Sequence, residues 1–184
     1  MKLSELWAHY GRALNLLGDL GPEGLLAHLT EGLDAVEVAA RLGGNGLWVD
    51  VGSGAGSPGL VVACAREQPI VLVEPREKRA AFLRLAVGAI KLRWCTVRRG
   101  RWDRSTWNQM DDGDDLGADR SLISVIGSKA VMDPKKWVLV AREIAPHGAI
   151  LCHVSDPGVS FDGLNPDVSV GEGRRWVVGL RPPT

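Results

Sequence analysis

An α/β fold with a mostly parallel, doubly wound sheet is what the sequence predicts, on three observations. From residue 47 onward, short apolar and β-branched runs alternate with segments of helical length and spacing. The first run, LWVDV (47–51), leads straight into a glycine-rich turn, GSGAGSPG (52–59). The second, PIVLVE (69–74), ends on an acid, Glu74.

The elements follow in order. Leu3, Leu6, Tyr10, Leu14 and Leu17 stand at helical spacing over 3–17, a helix ended near Gly18. A second helix runs from about Pro22, an N1-type proline, to about Leu42, where Gly43, Gly44 and Gly46 break the chain. These form an N-terminal helical extension (1–45) to a core spanning 46–184, the whole being one domain. After the glycine turn, GLVVACARE suits a helix packed on the first strand, and REKRAAFLRLAVGAIKL (76–92) follows the second. RWCTVRRG (93–100) reads as a third strand, and MDDGDDLGAD (110–119) as a solvated acidic loop without EF-hand spacing. SLISVIGS (121–128), the helix WVLVAREIA (137–145) and GAILCHV (148–154) continue the alternation, and RRWVVGLR (174–181) is a last strand. Right-handed crossovers make such a sheet mostly parallel, with helices on both faces and ligands at the carboxyl ends of its strands.

Composition narrows the class. Hydrophobic residues at 45% and charged residues at 24% suit a soluble globular protein. No apolar run reaches the ~20 residues of a membrane span, and the start lacks a secretory signal. Cys64, Cys95 and Cys152 are widely and irregularly spaced, which points to reduced, mostly buried thiols in a cytoplasmic protein. Without paired Cys/His spacing no metal site is expected, and Cys152-His153 reads as the end of a buried strand. His9 and His28 read as helix-surface or capping residues, and His147 as a turn residue.

The net charge of zero conceals an asymmetry. Residues 76–104 hold ten Lys/Arg against Glu77 and Asp103, whereas residues 1–75 hold four basic and nine acidic residues. A solvated helix face and a phosphate-contacting patch both account for this, and composition does not separate them.

The glycine turn is either a purely structural turn or a loop with one of three candidate guests. A P-loop requires GxxxxGK[ST], and no lysine follows these glycines. GxGxxG occurs at Gly54, Gly56 and Gly59, but that frame starts two residues late and puts Pro58 in the helix-opening turn. Asp50 with Gly52, Gly54 and Gly56 forms D-x-G-x-G-x-G, a loop through which S-adenosylmethionine is bound, with the backbone close to the ligand because no Cβ intervenes. Glu74 is placed to accept hydrogen bonds from ribose hydroxyls, which nicotinamide dinucleotides and S-adenosylmethionine share. Together Asp50 and Glu74 favour a methyltransferase.

WVDVGSGAGSPGL, LVEPREKRAAFLR, VRRGRWD and GSKAV resemble the small-subunit ribosomal RNA methyltransferase G family, whose members methylate guanine N7 in 16S rRNA. ALNLL at Asn15-Leu16, HLTEGL at His28 and the ending GRRWVVGLR are also similar to that family. The resemblance implies a Rossmann-like class I methyltransferase fold and S-adenosylmethionine as cofactor. The cofactor-binding set it implies is Asp50, Gly52, Ser53, Gly54, Gly56, Ser57, Glu74, Trp102, Asp103 and Lys129. Lys129 is further implied as the catalytic residue that positions cofactor and target base. The partner would be 16S rRNA or the small ribosomal subunit, held by Arg76, Arg79, Arg98, Arg99, Arg101 and Arg104. Trp102 or Trp107 could stack a base, with core packing the competing reading.

The sequence departs from the family at several positions. Ser57 stands for a bulky apolar residue, Asp103 for glutamate and Lys129 for arginine. Leu17 replaces a threonine, and His153-Val154 replaces a lysine–glycine pair. The chain lacks the NPPY or DPPY tetrapeptide of amino-nitrogen methylation and the Pro-Cys of pyrimidine C5 enzymes. Guanine N7 needs neither, because its lone pair carries no proton. The rival readings are a non-catalytic relative that binds cofactor or RNA, and a methyltransferase of this fold with a small-molecule or protein substrate.

Overall fold

The computed structural model describes residues 2–11, 21–103, 106–109 and 120–182, with backbone alone at 102–103 and 106–109. Its elements are α1 (Leu3–Tyr10), α2 (Pro22–Arg41), β1 (Leu47–Val51), α3 (Gly59–Ala65), β2 (Ile70–Val73), α4 (Glu77–Ile90) and β3 (Cys95–Arg98). They continue with β4 (Gly100–Asp103), β5 (Thr106–Gln109), β6 (Ile123–Ser128), α5 (Pro134–Ile144), β7 (Ala149–Val154), β8 (Val168–Glu172) and β9 (Arg175–Leu180). The Asn15-Leu16 motif, Leu17, Arg104 and the acidic loop 110–119 lie outside the described residues, as do the side chains of Trp102, Asp103 and Trp107.

Seven strands form one sheet in the order β3-β2-β1-β6-β7-β9-β8. The pairs β1–β2, β2–β3, β1–β6 and β6–β7 are parallel, while β7–β9 and β8–β9 are antiparallel. Every residue of β2 is buried, and every residue of β1 except Leu47, which explains their unbroken apolar runs. The chain runs outward from β1 through β2 to β3, then crosses back to β6 on the other side. The switch point lies between β1 and β6, where such folds open a crevice at the strand ends.

Helices cover both faces. Leu6 and Trp7 of α1, Val38 of α2, Leu60 of α3 and Phe82 of α4 share one core. Trp137 and Val138 of α5 pack with Val49, Val71 and Ile126 on the other face. Gly32 sets the approach of α2 to α3, since a Cβ there would overlap Val61. On the neighbouring turn of α2, Glu31 pairs with Lys129, the residue just past the end of β6. The N-terminal extension is tied to the glycine turn as well: the indole of Trp7 donates to the Ala55 carbonyl at 2.8 Å.

Three features differ from the sequence expectation. The predicted third strand is split: β3 ends at Arg98, and β4 leaves the main sheet to pair with β5 in a separate hairpin. β8 was not expected, because its residues are half-exposed and mixed in polarity, as befits an edge strand built on β9. α5 begins three residues before the apolar run at Trp137, because the Asp133 carboxylate accepts from the Lys135 and Lys136 amides at 3.0 and 3.3 Å and Pro134 fits the first turn. Of the thiols, Cys95 and Cys152 are buried, whereas Cys64 is exposed.

Candidate cofactor and target-base site

The glycine turn is held to β2 by a compact set of hydrogen bonds. The Gly52 and Ser53 amides both donate to the Val73 carbonyl, at 2.8 and 2.9 Å. The Ser53 hydroxyl donates to the Asp50 carbonyl at 2.9 Å and accepts from the Val73 amide at 3.1 Å. Gly52 adopts φ of +73°, and a Cβ there would overlap Val131, so the turn and the segment after β6 meet backbone to side chain. Only glycine satisfies both demands.

Glu74, just past β2, faces this turn. One carboxylate oxygen accepts from the Gly54 amide at 2.8 Å, the other from the Arg76 amide at 2.9 Å. Each oxygen retains a second acceptor site, so the carboxylate is aimed without being used up.

Between these groups lies a cavity of about 610 Å³, a size suited to a cofactor or small molecule. Its walls include Gly52, Ser53, Gly54, Ser57, Glu74 and Lys129, all expected as cofactor contacts, together with Arg76, Arg79 and Arg101 from the expected RNA-binding set. Val131 and Met132, both partly exposed, add apolar surface to the lining.

Asp50 and Gly56 stand behind the wall rather than in it. Asp50 is 1% exposed and turned toward Gly59, where a Cβ would overlap its carboxylate. Neither carboxylate oxygen has a hydrogen-bond partner among the described residues. Burial raises its pKa to about 6; nearby Ser53, Gly59 and Lys129 oppose the rise and Glu74 adds to it. The Ser53 hydroxyl and the Gly59 backbone amide, both beside the carboxylate, are the groups that favour its charged form. Arg98 and Arg99 are half-buried beside the cavity rather than in its walls, and Arg99 lies 3.7 Å from Glu77.

Lys129 occupies a junction. Its ammonium pairs with Glu31 of α2 and lies 3.3 Å from His28 Nδ1 and 3.5 Å from Ser57 Oγ. Beyond it a second cavity of about 440 Å³ shares Lys129, Ala130 and Met132 with the first and is also lined by Glu31, His153, Asp156, Arg175 and Trp176. His153 is half-exposed by area yet densely enclosed. That burial lowers its pKa to about 4, Lys129 adding to the drop and Glu31 opposing it, so the ring is neutral at neutral pH.

Sequence reasoning did not place His28 or Glu31 here. They stand three positions apart on α2, so they share a face, but only the packing of α2 on α3 turns that face to the cavities. Among the described residues no group of three or more His, Cys, Asp or Glu could hold a metal, and no helix is long and apolar enough to cross a membrane.

Residues 2–141 match the sequence profile of the rRNA small subunit methyltransferase G family. A protein named ribosomal RNA small subunit methyltransferase G from Nitrosomonas europaea is 39% identical over 106 residues, 56% of this chain and 48% of that protein. One of the same name from Sphingopyxis alaskensis is 36% identical over 100 residues, 48% of this chain and 42% of that protein. The chain thus spans about half the length of these curated relatives. An RNA methyltransferase from Salinibacter ruber, solved with S-adenosyl-L-homocysteine, superposes with a TM-score of 0.56 at 20% identity, covering 84% of this chain and 90% of that one. A methyltransferase from Geobacter sulfurreducens gives 0.59 at 13% identity, over 98% and 88% of the two chains. Both likenesses bear on the fold, which is Rossmann-like and of the methyltransferase type.

Proposed function

Because the chain belongs to the rRNA small subunit methyltransferase G family, we propose that it is an S-adenosylmethionine-dependent methyltransferase acting on N7 of a guanine in 16S rRNA. The observation that carries the cofactor assignment is Glu74, fixed by two backbone amides in the wall of the cavity at the switch point. Its remaining acceptor sites suit vicinal ribose hydroxyls, and the glycine backbone opposite admits a ligand at close range. The buried Asp50 carboxylate, outside the cavity lining, adds negative potential near the glycine turn.

When bound, S-adenosylmethionine supplies an electrophilic methyl carbon. The chain's own work is then to align and enclose. Glu74 and the turn hold the cofactor, while Val131 and Met132 offer it apolar surface. Lys129 holds the target base from the junction. Guanine N7 would offer an in-plane lone pair and has no proton to lose, so no general base would be needed, and the methylated base would carry a positive charge. Arg76, Arg79 and Arg101 beside the cavity suit RNA phosphates. The partner is then 16S rRNA or the small ribosomal subunit, in the cytoplasm, and no metal is required.

Calorimetry with S-adenosylhomocysteine tests the cofactor and is expected to show saturable one-to-one binding. Mass mapping of 16S rRNA from cells with and without the gene tests the substrate, with one guanine expected to lose its methyl group. An unchanged methylation map would overturn it.

A further inference from the structure

The second cavity holds a carboxylate and an ammonium side by side. Glu31 and Lys129 come from different elements, α2 and the segment after β6, and their side chains are only 15% and 22% exposed. Lys129 lines both cavities, whereas Glu31 lines the second and not the first. A base in the second cavity would therefore meet the pair at the boundary with the cofactor cavity. At about 440 Å³ that space falls within the roughly 300–1,000 Å³ typical of small-molecule sites.

We propose that the Glu31–Lys129 pair is the guanine-reading element of this site: Lys129 donates to O6, and Glu31 accepts from N1–H and the adjacent N2 amine. This rests on the methyltransferase reading and adds the residue that sets base specificity. On guanine the O6 acceptor and the N1–H donor are neighbours, so an adjacent donor and acceptor on the protein match them in one orientation. Adenine presents the reverse order, an amino donor where guanine has O6 and an acceptor at N1, and would set like against like. Rejection of adenine then follows from unmatched polar groups at a part-buried ion pair rather than from shape. N7 lies on the same edge as O6, so a donor at the junction that engages O6 also turns N7 toward the cofactor cavity. Trp176, another lining residue, offers apolar surface to a base removed from its stack.

The experiment uses the full chain and 16S rRNA ligated to carry either guanosine or inosine at the methylated position. Inosine keeps N7, O6 and N1–H and lacks only the N2 amine. Wild-type protein is expected to show kcat/KM about 10- to 100-fold lower on inosine, as for loss of a hydrogen bond to a charged group. Glu31→Ala should bring the guanosine rate down and the guanosine/inosine ratio close to one. Glu31→Gln, which keeps the shape, should reduce the ratio partway. Both variants should bind S-adenosylhomocysteine within about twofold of wild type, since Glu31 does not line that cavity. A wild-type ratio near one, or an undiminished ratio in both variants, overturns the inference while the methyltransferase reading stands. Absence of methyl transfer by wild type to either RNA, free or assembled into small subunits, overturns that reading and the inference with it.

Discussion

Two carboxylates at the strand ends, both expected to touch the cofactor, have different surroundings. Glu74 is held by the Gly54 and Arg76 amides, so Glu74→Gln turns an amide N–H2 toward a backbone N–H. The expected result is at least a tenfold loss of S-adenosylhomocysteine affinity by calorimetry, from the ~1.5–3 kcal/mol of a charged hydrogen bond. Asp50 is instead sealed behind the turn. Its carboxyl ordinarily titrates at 3.8 and here near 6, burial being the main cause. Between those values the folded state holds the extra proton, so stability falls as pH rises, by on the order of 3 kcal/mol once above pH 6. His153 acts in the opposite sense: with its pKa lowered from 6.5 to about 4, the unfolded state takes the extra proton and stability rises with pH over that window. The two slopes offset each other in the wild type. Asp50→Asn removes one of them, and its Tm relative to wild type should climb between pH 4 and 7. A difference that stays flat with pH would refute the buried-acid account.

Among the elements, α5 illustrates how little of a boundary is written in hydrophobic periodicity. The apolar stripe starts at Trp137, yet Asp133 and Pro134 start the helix a turn earlier. Asp133→Ala should cost about 1 kcal/mol and lower Tm by roughly 2–4 °C for a chain of this size. Cofactor affinity should be unchanged, which differential scanning and calorimetry together can check. The long central strands were legible because both of their faces are buried. The edge strand β8 was not, since half-exposed residues obey no single period. β4 escaped for another reason: a strand that leaves its sheet after three or four residues reads in sequence as the continuation of the one before it.

Over the whole molecule, the basic stretch 76–104 is divided by the fold. Arg76, Arg79 and Arg101 line the cavity beside the glycine turn, whereas Arg98 and Arg99 stand half-buried outside its walls. Arg76→Ala with Arg101→Ala should weaken RNA binding at low salt. It should also flatten the dependence of log K on log salt by about 0.7–0.9 for each phosphate no longer neutralised, read by filter binding across a salt series. An unchanged slope would mean these side chains do not meet phosphates. The sequence alone determined the alternation of strands and helices, the glycine turn with Glu74 after it, and the family, because these reside in local patterns with short spacing. Only the tertiary structure decided that Asp50 lies behind the cavity while His28, Glu31 and His153 border the site. Glu31 and Lys129 are 98 positions apart. They meet because Gly32 lets α2 lie close on α3, and no local pattern records a distance closed by packing.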